Sequence, residues 1–76
     1  MRKPDFDIKQ RTAEELSRVF CDHINLAHKC GFGVKQTYPW WYGESIPSAT
    51  SMRILDQHGV DIYYIITGKR AVKPDV

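Results

Sequence analysis

The sequence predicts an all-α fold, a compact bundle of about five short helices. Apolar residues recur at three- and four-residue steps rather than at every second position, most clearly from Ala13 to Cys30 and from Ala49 to His58. Glycine and proline interrupt this pattern at Gly31, Gly33, Gly43, Pro47, Gly59 and Gly68, and residues suited to helix N-caps stand beside the breaks. The only rival strand signal is β-branched, at Val60-Asp-Ile62 and Ile65-Ile66.

Residues 1–11 are charge-rich, with Pro4 and the isolated apolar Phe6 and Ile8, and read as a flexible arm. Thr12-Ala-Glu-Glu15 has capping-box spacing, so a helix starts here or an earlier one continues. Ala13, Leu16, Val19, Phe20, Ile24, Ala27 and Cys30 then lay one stripe along a helix of about 18 residues, with Asp22 as the N-cap of a second helix if the stretch divides. After the Gly31-Phe-Gly33 turn, four of the chain's nine aromatic residues fall within Tyr38-Pro-Trp-Trp-Tyr42. Ser48 caps a further amphipathic helix carrying Ala49, Met52, Ile54, Leu55 and His58, and Asp61 caps a last one from Ile62 to Thr67. The domain therefore spans 12–68, with a basic tail over 69–76. Its core is expected to draw on Leu16, Val19, Phe20, Ile24, Ala27, Phe32, Trp40, Met52, Leu55, Val60 and Ile65.

With 42% hydrophobic and 26% charged residues the chain has the composition of a folded globule rather than a disordered one. Seventy-six residues make a single domain that buries only ~60% of its unfolded surface, enough for one modest core and too little for a deep substrate cavity. A two-domain enzyme is excluded, and no enzymatic activity or small-molecule substrate is expected. The net charge of +2 sits at the two ends around a net-negative stretch over 36–68, well short of a strong basic stripe. No apolar run approaches the ~18 residues of a membrane span, and Met-Arg-Lys-Pro is followed by acids rather than an apolar signal core. The expected location is cytoplasmic.

Cys21, His23, His28 and Cys30 have the residue types of a zinc site, but on one helix Cys21 and His28 share a face that His23 and Cys30 do not, so the four cannot converge. No metal site is expected, and the two cysteines read as reduced, mostly buried thiols. Gly31-Phe-Gly33 lacks a following Gly-Lys-Ser/Thr, and no oxyanion loop or third orienting residue accompanies Cys and His, so neither a nucleotide cofactor nor a nucleophile has support.

Alanine at 27, where one helix must cross closely over another, is followed four residues later by the glycine of a short turn and then by Val34-Lys35-Gln36. This is the layout of a helix-turn-helix. Together with Leu26-Ala27, Gly31-Phe32-Gly33, Trp40 through Gly43, Ile46-Pro-Ser48 and Gly59-Val-Asp-Ile-Tyr-Tyr-Ile-Ile-Thr-Gly68-Lys-Arg70, it resembles the helix-turn-helix domains of phage CI-type repressors and the wider Xre/Cro family, over about two thirds of the chain.

The resemblance implies a lambda-repressor-like fold, a second helix from about His23 to Cys30 and a recognition helix beginning near Val34. It implies a sequence-specific transcriptional regulator that binds a double-stranded DNA operator as a homodimer, with Val34, Lys35, Gln36 and Tyr38 at base edges and His23 and Ser45 at the backbone. The 76 residues leave no room for the separate C-terminal oligomerisation domain of long CI proteins, so any dimer is expected to use the helical domain itself. Lys35 suits guanine, Gln36 adenine and Val34 a thymine methyl, with the Arg2-Lys3 and Lys69-Arg70 ends as further phosphate contacts. Pro39 departs from the pattern: either it bends the recognition helix, or that helix begins near Pro39 and residues 34–38 form a loop. Thr37, where the family places a buried aliphatic, is a second departure. The alternative function is a small anti-repressor or regulatory protein with a degenerate helix-turn-helix, which binds a protein partner through the Tyr38–Tyr42 aromatic cluster, with Trp40, Trp41 and Tyr42 as contact residues.

Overall fold

The computed structural model describes residues 6–70, which form α1 (Phe6–Val19), α2 (His23–Cys30), α3 (Val34–Trp41), α4 (Ala49–Gln57) and α5 (Ile62–Thr67), with no strand among them. Helix α3 packs on both α1 and α2, α5 closes against α1, and α4 rests on α5. The strand alternative around 60–66 loses to local capping. Asp61 accepts the Tyr64 amide at 2.9 Å, and Gly68, at φ +77°, ends α5 with a 2.7 Å bond to the Tyr64 carbonyl.

Helix α1 corrects the expected arm, because it begins at Phe6. Arg2 and Lys3 lie outside the described residues. Thr12 is not an N-cap: it is fully buried within the helix, and its hydroxyl donates to the Ile8 carbonyl at 2.7 Å. Ile8, Thr12, Glu15, Leu16 and Val19 follow helical spacing along the inner face. Two of those positions are polar, and so the apolar pattern hides the first half of the helix.

Residues 20–22 break the chain between α1 and α2, so there is no single long helix. Asp22 caps α2, its carboxylate accepting the Asn25 amide at 2.7 Å. The break resets the helical phase. Leu26 and Ala27 turn inward, and Ile24, expected in the core, is 49% exposed. Cys21 lies in this connection and is exposed rather than buried, while Cys30 is half-buried and burial pushes its thiol pKa up. The core comprises Leu16, Phe20, Leu26, Trp40, Leu55, Val60 and Ile65, with Val19, Phe32 and Met52 partly buried at its edge.

A buried carboxylate ties the two ends of the bundle together. Glu15 has no solvent exposure; it accepts 2.9 and 2.8 Å bonds from Arg18 and a 3.0 Å bond from the Asp61 amide, and pairs with Arg70 at 2.9 Å. Burial alone would raise its pKa, but the bonds from Arg18, Arg70 and Asp61 outweigh that and hold it down at about 2. Arg70 also reaches the Asp61 carboxylate at 3.2 Å and lies 3.9 Å over the Tyr64 ring. The basic stretch that follows α5 therefore begins as part of the fold. From α1, Arg11 donates to the Ile65 carbonyl at 2.9 Å, satisfying the open end of α5.

Candidate functional site

The site is built by a three-residue turn between two short helices. Gly31 ends α2 at φ +76°, where its own amide and that of Phe32 both reach the Ala27 carbonyl. Gly33 is extended and serves as the N-cap of α3. It has no side chain to offer the first turn, but its amide is met by Gln36 Oε1 across a long 3.4 Å contact. Buried Thr37 is the second fastening: its hydroxyl lies 3.1 Å from the His23 carbonyl and 3.0 Å from that of Val34, one proton serving both. A buried aliphatic would fill this space without linking the helices. Replacing Thr37 by valine should cost about 1 kcal/mol, and a variant melting at the wild-type temperature would remove this bond from the account.

Pro39 stands inside α3, which starts at Val34 and runs through it, so residues 34–38 are not a loop. Proline has no amide for the Lys35 carbonyl, and Lys35 is exposed, where water can take that acceptor. The helix ends with Gly43 at φ +72°, the Gly43 amide reaching the Trp40 carbonyl at 3.4 Å and the Glu44 amide that of Pro39 at 2.8 Å. A Cβ on Gly43 would sit 3.7 Å from the Lys9 carbonyl, so this turn packs closely on α1.

With α3 anchored by Thr37 and Trp40, its other face is open. Val34, Lys35, Gln36 and Tyr38 are all exposed, adjacent to one another at the start of the helix. His23 is half-buried and belongs to an aromatic cluster: its ring meets Tyr38 edge-on at 5.4 Å and Tyr42 at 6.2 Å, and the two tyrosines lie 4.6 Å apart. Its Nδ1 is buried and has no hydrogen-bond partner among the described residues. Ser45 is half-buried just beyond α3.

The partner-binding set needs a correction. Trp40 is 5% exposed and packs edge-on against Phe32 at 5.0 Å, so it offers nothing to a partner. Trp41 is half-buried against the core, and Tyr42 is exposed. Tyr38, at the other end of the Tyr38–Tyr42 cluster, is exposed and packs on Tyr42. Arg70, taken as a phosphate contact, is committed to Glu15 and Asp61.

Lys35 is the one charged residue within α3, and Asp22 and Glu44 are exposed near the two ends of the α2–α3 pair. Two concavities, of about 480 and 430 Å³, are lined by Arg18 and by residues between Ala49 and Tyr63, away from α2 and α3. Among the described residues no group of three His, Cys, Asp or Glu side chains could hold a metal ion, and no helix is long and apolar enough to cross a membrane. No family model, curated protein or solved structure matches the chain.

Proposed function

We propose that the chain is a sequence-specific DNA-binding transcriptional regulator of the phage-repressor kind, which reads operator DNA with the start of α3. The observation that carries this is that Val34, Lys35, Gln36 and Tyr38 are all exposed, with Val34, Tyr38 and Lys35 together as an outward row, on a helix held by buried Thr37 and Trp40. A helix with its side chains is ~10–12 Å across and the major groove ~12 Å wide, so such a row can meet base edges. Lys35 would take guanine O6 and N7, Gln36 adenine, and Val34 a thymine methyl, with His23 and Ser45 toward the backbone. A homodimer would place two copies of α3 about one helical turn apart on the duplex. With Lys35 alone carrying charge on α3, few counterions are released, and log K should fall with log salt at a shallow slope.

Selection from a random duplex pool at modest salt tests the proposal: a regulator enriches a defined site, and enrichment of none would overturn it. On that site, Lys35→Ala should cost ~1–3 kcal/mol and relax preference at one base step. Uniform weakening on every sequence would instead make Lys35 a phosphate contact.

One observation favours a second reading, in which the chain is an anti-repressor or other regulatory protein that keeps this fold and binds a protein. Tyr38 and Tyr42 are exposed, mutually packed and poor in neighbouring charge, as at the centre of protein interfaces. A backbone chemical-shift map with and without duplex separates the two. Shifts confined to residues 23 and 33–45 favour DNA, and no shift at low salt leaves the protein-partner reading standing.

A further inference from the structure

The base-reading role proposed above, on which this step rests, gives Val34 a thymine methyl and assigns no base chemistry to Tyr38 or Tyr42. We propose that the strip Val34–Tyr38–Tyr42 reads pyrimidine C5-methyl groups, so that thymines in the major groove specify the bound sequence, with His23 as a positioning residue for Tyr38.

The three residues are four apart, Val34 and Tyr38 on α3 and Tyr42 as its C-cap residue, which puts them along one side, and they are 40%, 47% and 56% exposed. The rings are not free to sweep. Tyr38 is flanked by Tyr42 at 4.6 Å and by the edge of His23 at 5.4 Å, and His23 is itself held from below through its carbonyl and the Thr37 hydroxyl at 3.1 Å. The valine and the two ring faces make an ordered ridge, with the tyrosine hydroxyls at the tips, and an ordered ridge loses little side-chain freedom on meeting a ligand. Its polar competitors are fewer than the sequence suggests. Gln36 Oε1 faces the Gly33 amide at 3.4 Å, so two-handed recognition of adenine would give up part of the α3 N-cap. Hydrogen-bond reading then falls mainly to Lys35. The one apolar group on the major-groove edge of a base is the C5-methyl of thymine. Four residues of helix rise ~6 Å and base pairs are ~3.4 Å apart, so Val34 and Tyr38 can meet methyls within about two base steps of each other.

The test begins with the sequence that the full chain selects from a random duplex pool, resynthesised with deoxyuridine in place of one thymine at a time. Each replacement deletes one methyl and leaves the base pairing intact. One or two positions per half-site should each lose about fourfold in affinity, the equivalent of one buried methyl, with the others unchanged. In Val34→Ala and Tyr38→Ala, whose side chains are exposed, the preference for thymine over deoxyuridine should fall to about one at the matching position. In His23→Ala it should fall at the Tyr38 position and persist at the Val34 position. A selected sequence that tolerates deoxyuridine everywhere, or contains no thymine facing the protein, overturns methyl reading and leaves DNA recognition standing. A pool that enriches nothing overturns both.

Discussion

Replacing Glu15 by alanine is expected to destabilise the fold by about 3 kcal/mol, a large share of the 5–15 kcal/mol typical of a domain. The substitution removes a fully buried carboxylate, unpairs the Asp61 amide and releases Arg18 and Arg70 together. The cost stays below that of a wholly buried ion pair because both arginines are about half exposed, at 52% and 49%, and can turn to water. Acid offers the same test without a mutation. The folded-state pKa of about 2 lies below the ordinary 4.5, so Glu15 contributes its full stabilisation above about pH 4.5 and loses it as pH falls toward 2. A difference of this size corresponds to about 3 kcal/mol. Urea midpoints of the wild type and Glu15→Gln at pH 6 and pH 2.5 isolate the effect, since glutamine does not titrate. The wild type should lose more stability than the variant over this interval; parallel losses would show that Glu15 is not held ionised by its partners.

Glu15 also explains where the sequence was hard to read. The ends of α2, α4 and α5 were legible because each is written locally: Asp22, Ser48 and Asp61 at the N-caps, Gly31, Gly59 and Gly68 at or just after the C-termini. Helix α1 was read short because its inner face spends two positions on Thr12 and Glu15, whose burial depends on partners that periodicity cannot see, one of them Arg70 from the far end of the chain. Ile24 was placed in the core and Leu26 was not, because one stripe was carried across a break that shifts the phase of the second helix. At the site, the place of Val34, Lys35 and Gln36 at the start of a helix is legible from the turn that precedes them. The Thr37–His23 bond and the packing of His23 on Tyr38 are not, since both join different helices.

Trp40→Ala should be the most damaging single change near the site, at about 3–5 kcal/mol, although Trp40 lies in the same aromatic run as the surface it supports. Its indole is 5% exposed, packs edge-on against Phe32 at 5.0 Å and belongs to the core shared with Leu16, Leu26 and Leu55. The cavity left behind lies under a helix already short of one backbone bond at Pro39, and Thr37 is its other buried anchor. The variant should lose most of its helical circular dichroism well below the wild-type melting temperature. Tyr42→Ala, at a residue 56% exposed, should melt within ~0.5 kcal/mol of wild type, and so it can report on binding where Trp40→Ala cannot. A chain that binds a protein through this surface should lose at least ~2 kcal/mol of affinity in Tyr42→Ala, about thirtyfold. A DNA reader should lose no more than the few-fold effect of one slackened methyl contact. If Trp40→Ala instead melts like the wild type, the indole is not a core residue. Trp40 then returns to the surface beside Tyr42, and the protein-binding reading gains the third aromatic side chain that the fold now withholds from it.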